Sequence, residues 1–209
     1  MATWSFLVVA VVASALFAAA ALLWMVLRTF AFQRAPAAPS GWKGIAFAFG
    51  QGMLPWEKES AGGHWLTLAA GVIYHAGVFV ALLQLFARIP GLHVPLALIP
   101  FAETILLLAF CSGTSLLIKR ALLPTLRALS CPDDYAANVI VNLFLLFSFL
   151  TTLNGAWVDW LLGASLVFFL YLPLGKVRHC VFFFYTRVMF GLFFGRRAVL
   201  PHPRSETNP

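Results

Sequence analysis

A chain of 209 residues that is 62% hydrophobic and only 10% charged carries more apolar surface than a soluble core of that size can hide. Its mean hydropathy of +0.91 excludes a soluble domain and marks an integral membrane protein. The net charge of +7 does not point to nucleic acid, because the basic residues flank apolar stretches and form no single soluble face.

The first apolar stretch, 4–27, contains Ala13-Ser14-Ala15, which resembles a signal-peptide cleavage site. No Lys or Arg precedes Arg28, so the positive n-region of a signal peptide is missing and a retained first helix is expected. The following loop, 28–64, is broken by Pro36, Pro39 and Ser40. Its aromatic runs Trp42-Lys43-Gly44-Ile45-Ala46-Phe47 and Met53-Leu54-Pro55-Trp56 read as interfacial anchors. A second span is expected over 65–87, followed by an outer turn punctuated by Pro90, Gly91 and Pro95. A third covers 96–118. Cys131-Pro132-Asp133-Asp134-Tyr135 is a helix start signal for the fourth span, 136–153, with acids where the first turn's free N–H groups lie. The fifth is expected over 156–175. Spans of about 18 to 24 residues reach roughly 27 to 36 Å, enough for the hydrocarbon core and too long for barrel strands. The fold class is therefore an all-α membrane bundle of five transmembrane helices. The remaining apolar segment, 180–197, has Arg187 in its middle and further arginines beyond it, so it is read as a cytoplasmic interfacial or docking helix.

Charge sets the orientation. With the amino terminus outside, segments 28–64, 119–135 and 176–209 lie inside and hold 13 of the 14 Lys and Arg residues, leaving only Arg88 outside. Cys111, Cys131 and Cys180 form no Cys-x-x-Cys pair, so neither a zinc site nor a disulfide framework follows. The lack of Cys-x-x-Cys-His limits any haem to the b type.

Two histidines stand out. His75 ends Gly71-Val-Ile-Tyr-His75 and His179 ends Gly175-Lys-Val-Arg-His179. On a helix each glycine would lie one turn below its imidazole on the same face, leaving room for a flat macrocycle. Two such helices would give a bis-histidine haem b with Gly71 and Gly175 packing against it. Lys176 and Arg178, with Lys119 and Arg120 on the same inner side, would meet its propionates or a docked partner. Depth argues against a simple pairing. His75 lies 15 residues from Pro90, about 22 Å of helix, whereas His179 lies 22 residues from Trp157, about 33 Å. His64, 11 residues before His75 and on the same helical face, is the rival ligand at the inner edge. Geometry leaves the two open. His93, in the outer turn, and His202, in the tail, read as surface residues, and Cys180 as a packed thiol. Glu103 is the one carboxylate deep in a span. It is a candidate quinone-site acid, with His93 nearby, or else a structural partner of Arg88 or His93.

Tyr74-His75-Ala76-Gly77-Val78-Phe79 resembles the Phe-His-x-Gly segment of the membrane gamma subunit of respiratory nitrate reductase. Pro173-Leu-Gly-Lys176-Val-Arg-His179 resembles the Pro-x-x-Arg-x-x-His of that family's last helix. Asp133-Asp134-Tyr135, five helices and an outside amino terminus agree, and the resemblance extends to cytochrome b subunits of heterodisulfide-reductase-type complexes in sulfate reducers and methanogens. It implies His75 and His179 as axial ligands of one inner haem. The positions of the second, outer pair are here Leu85 and Leu161, which implies a single-haem variant. The implied role is electron transfer between menaquinone and a cytoplasmic iron–sulfur subunit in an anaerobic respiratory complex of a bacterial or archaeal cytoplasmic membrane. Such an oxidoreductase complex can include further membrane or cytochrome c subunits, and this chain would be a non-catalytic or quinone-reacting member. The competing expectations are a haem-free membrane anchor and a small transporter subunit, the latter lacking the usual broken-helix pairs.

Overall fold

Apolar runs this long close their backbone hydrogen bonds internally, and the computed structural model is accordingly helical, with no strand among the described residues. It describes residues 2–31, 41–54, 64–89 and 95–196. Helices are α1 (Ala2–Arg28), α2 (Gly41–Phe49), α3 (Trp65–Arg88), α4 (Ile99–Leu122), α5 (Pro124–Ala128), α6 (Pro132–Leu153), α7 (Val158–Tyr171) and α8 (His179–Arg196). Short 3-10 turns at Leu96–Leu98, Gly155–Trp157 and Lys176–Arg178 lead into α4, α7 and α8. Pro36, Pro39, Ser40, Pro55, Trp56, Pro90, Gly91, His93, Arg197 and His202 lie outside the described residues.

Five helices are long and apolar enough to cross a membrane: Phe6–Arg28, Trp65–Arg88, Leu96–Leu122, Pro132–Leu153 and Lys176–Gly195. The chain thus has the makings of a multi-pass membrane protein. Four of these coincide with expected spans, but the fifth does not. The long fifth helix is the stretch read as interfacial, and the expected span 156–175 contains only a shorter apolar helix, Gly155–Tyr171. The cause is local. Pro173 cannot continue a helix and is fully buried, so α7 stops at Tyr171 and a turn intervenes before α8. An interfacial helix needs one polar face. The exposed surface of α8 instead includes Phe184, Phe190, Phe193 and Phe194, and its Arg187 guanidinium lies 5.4 Å from the centre of the Phe183 ring.

The chain divides into two compact units, one of Met1–Leu22 with His64–Arg178 and one of Leu23–Gly63 with His179–Pro209. In the first, α3 and α6 run parallel in a constant register. The Tyr74 hydroxyl donates to the Asn138 carbonyl (3.4 Å), Gln84 Nε2 to the Ser148 carbonyl (3.3 Å) and Arg88 Nη2 to the Thr151 carbonyl (3.3 Å), at sequence offsets of 64, 64 and 63. Small residues allow the close approach of α4. A side chain at Gly77 would run into Ala109, and one at Gly113 into Tyr74 and Asn142. Phe144 stacks on Phe168 at 5.0 Å, joining α6 to α7. Leu85, Leu106, Phe144, Leu145 and Leu161 have no exposed surface and form the centre of this core.

In the second unit α2 packs on α8 through glycines. A side chain at Gly44 would meet the backbone of Gly191 and Gly195, which are spaced as Gly-x-x-x-Gly on α8. Phe49 stacks on Phe184 at 6.3 Å, and Thr29 and Tyr185 share a short hydroxyl hydrogen bond.

Candidate functional site

His75 sits in the middle of α3 and is exposed. Its Nδ1 lies 2.7 Å from the carbonyl oxygen of Gly71, one turn earlier. A carbonyl can only accept, so Nδ1 carries the proton and Nε2 is the nitrogen with ligand character. This is the support that metal-bound imidazoles receive from backbone carbonyls, which fixes both tautomer and ring orientation. A Cβ built at Gly71 meets nothing within 4 Å. The glycine therefore leaves open space one turn below the ring, as the pattern Gly-x-x-x-His requires on an unbroken helix. These two residues thus place an oriented imidazole beside open space on one side of α3.

The second Gly-x-x-x-His segment is built differently. Gly175 lies in the turn after α7 and His179 is the first residue of α8, with a 3-10 turn between them. Gly175 is therefore not one α-turn below His179. The space beside it is taken by the Tyr171 ring, which a side chain at Gly175 would strike. Gly175 here forms a tight turn around an aromatic ring. His179 is exposed, as is Arg178.

The remaining expected cations have protein partners. Lys176 Nζ lies 2.7 Å and Arg120 Nη1 3.1 Å from the carboxylate of Asp134. Asp133 accepts from the Lys176 backbone N–H at 2.9 Å and from the Tyr171 hydroxyl. The Cys131 N–H also donates to Asp134 at 2.9 Å, closing the start of α6. Lys119 Nζ donates to Thr67 Oγ1 at 2.5 Å, tying the end of α4 to the start of α3. Asp133 and Asp134, read as a helix start signal, thus also anchor the turn that follows α7. Lys176, Arg120 and Lys119 hold the bundle end together as well as lending it positive charge.

No protein-family model, no curated protein and no solved structure matches this chain. Its chemistry is therefore read from its own residues. His64 precedes α3 as its N-cap residue and is exposed; its carbonyl accepts from Leu68 N–H at 3.1 Å. Glu103 is half-buried on α4. Arg88, one of its expected partners, instead reaches the Thr151 carbonyl. His93, the other, lies outside the described residues. Among the described residues no three His, Cys, Asp or Glu side chains group as a metal site. A bis-histidine haem, by contrast, needs two histidines on opposite sides of the ring and no such cluster.

Tyr74, Gln84 and Arg88 on α3 face Asn138, Asn142, Ser148 and Thr151 on α6, a polar seam through an otherwise apolar bundle. Gln84 Oε1, Arg88 Nε, Asn142 Oδ1 and Ser148 Oγ are buried without a hydrogen-bond partner among the described residues. The available signal was uncharged polar residues recurring within two spans, which attention to charges and histidines passes over.

Proposed function

We propose that this chain is the haem b membrane subunit of an anaerobic respiratory complex, passing electrons between (mena)quinone and a cytoplasmic iron–sulfur partner. The observation that carries the reading is His75. An imidazole exposed in the middle of an apolar span is costly against lipid unless something covers it. Its Nδ1 is already held by the Gly71 carbonyl, and Gly71 leaves the adjoining space open. A haem b with two protein ligands supplies one-electron transfer and offers no open position to a substrate. In this assignment His75 Nε2 would hold the iron, the Gly71 carbonyl would orient the ring through Nδ1–H, and the resemblance supplies His179 as the second ligand. Arg178 is the cation assigned to a propionate, while Lys176 and Arg120 are shared with Asp134. Leu85 and Leu161 are fully buried in apolar packing, which supports a single haem.

The test is a dithionite-reduced minus oxidised spectrum of the purified full chain. A low-spin b-type band at a haem-to-protein ratio near one is expected, lost in His75→Ala and in His179→Ala. A band surviving His75→Ala but lost in His64→Ala would reassign the ligand, and absence of the band from the wild type would end the reading. A haem-free membrane anchor is the second reading. It is favoured by Tyr171 filling the space at Gly175 and by Asp134 engaging Lys176 and Arg120.

A further inference from the structure

At the end of the first unit opposite Asp133 and Asp134, a cavity of about 500 Å³ opens between α3, the start of α4 and the end of α6. Its wall is almost wholly apolar, with Val80 and Ile99 half-buried and Leu83, Leu98 and Phe101 extending to the exposed surface. Three polar side chains line it: Gln84, Arg88 and Thr152. Gln84 is 7% exposed and, with its Nε2 on the Ser148 carbonyl, leaves Oε1 as a buried acceptor without a donor. Arg88 places Nη2 on the Thr151 carbonyl and leaves Nε–H buried without an acceptor. Glu103, one residue past Ala102, does not line the cavity. The ion pairs among the described residues all involve Asp134, so none neutralises Arg88.

The site therefore asks for three things at once. It needs an anionic oxygen for a guanidinium, a hydroxyl or amine donor for Gln84, and a hydrocarbon body for the walls. A guanidinium is the side chain best matched to phosphate oxygens, and its charge at the edge of an apolar region is costly without a counter-ion. A quinone would offer Nε–H a carbonyl but leave the charge uncompensated. We propose that this cavity binds an anionic phospholipid with a hydroxylated head group, its phosphate on Arg88, its hydroxyl on Gln84 Oε1 and its acyl chains over Leu83 and Phe101. The site is separate from His75 and its occupancy does not depend on haem.

The test is native mass spectrometry of the delipidated full chain titrated with phosphatidylglycerol, with phosphatidylcholine of the same acyl chains, and with a short-chain menaquinone. One phosphatidylglycerol should be retained about tenfold more tightly than phosphatidylcholine, the scale of one charge-assisted contact. Arg88→Gln should erase that preference, Arg88→Lys should keep part of it, and Gln84→Leu should weaken it. Ala102→Trp fills the cavity without touching the charge and should lower retention of phosphatidylglycerol, so the proposal stays testable if Arg88→Gln fails to fold. Equal retention of the two phospholipids, an unchanged preference in Arg88→Gln, tighter retention of menaquinone, or displacement of the lipid by millimolar inorganic phosphate would each overturn it.

Discussion

Gly71-Val-Ile-Tyr-His75 and Gly175-Lys-Val-Arg-His179 share a spacing and little else. In the first, the helix is continuous, the glycine carbonyl holds the imidazole, and the room left by the missing side chain is open. In the second, the glycine lies in the turn after a proline-terminated helix, a 3-10 segment separates it from the histidine, and the room belongs to Tyr171. A four-residue interval reports a shared face only where the backbone between is α-helical. Hence one glycine borders open space, and the other is packed against an aromatic ring.

The contrast can be broken by substitution. The largest effect expected is on haem: His75→Ala should remove the b-type difference band completely, whereas His64→Ala should leave it, as read by reduced-minus-oxidised spectra. Next is Gly175→Ala, whose methyl would collide with the Tyr171 ring; overpacking of this kind costs about 1–3 kcal/mol. Thermal unfolding in detergent should show the loss, and Tyr171→Ala in the same chain should relieve much of it. An unchanged midpoint in the single variant would remove the packing role given to Gly175. Asp133→Ala deletes the carboxylate that accepts from Tyr171 and from the Lys176 N–H, leaving Tyr171 only the Asp133 backbone carbonyl at 3.2 Å, a loss of about 1–2 kcal/mol. Faster tryptic cleavage after Lys176 would report it directly. The smallest effect is Gly71→Ala. With no neighbour to strike, it should stabilise the haem-free chain by up to about 1 kcal/mol through helix propensity. A fall in the unfolding midpoint there would erase the distinction between the two glycines.

Hydropathy alone located α3 to within a residue and placed α1, α4 and α6, because a long apolar run has few alternatives to a helix. After Asn154 the helix long and apolar enough to cross is Lys176–Gly195, where 156–175 was the expected span. The sequence is apolar on both sides of Pro173, and the proline's backbone constraint shows where one helix ends. Arg187 argued against a span, yet a ring next to a guanidinium changes its cost, and Phe183 stands four residues before it. That Gly71 lies one turn from His75 on the same face follows from local spacing and was legible; the hydrogen bond from Nδ1 to its carbonyl was not read from it. The partners of Lys176 and Arg120 were not, since they depend on how α4, α6 and the turn after α7 meet. The polar seam was equally hidden. Tyr74, Gln84 and Arg88 acquire meaning only when α6 is set beside α3 in its register of 64.

The glycine contact between α2 and α8 carries a consequence for biosynthesis. Gly44 leaves the ribosome 147 residues before Gly191, the residue whose backbone it touches. Closing so long an interval delays the contact until nearly all the chain has been made. Helix α2, at nine residues, is too short to be stable alone in water, so through most of translation it must shelter in the membrane surface or on a chaperone. A stalled or truncated chain ending before Gly191 would expose that helix, giving quality-control proteases a means to tell an unfinished product from a finished one.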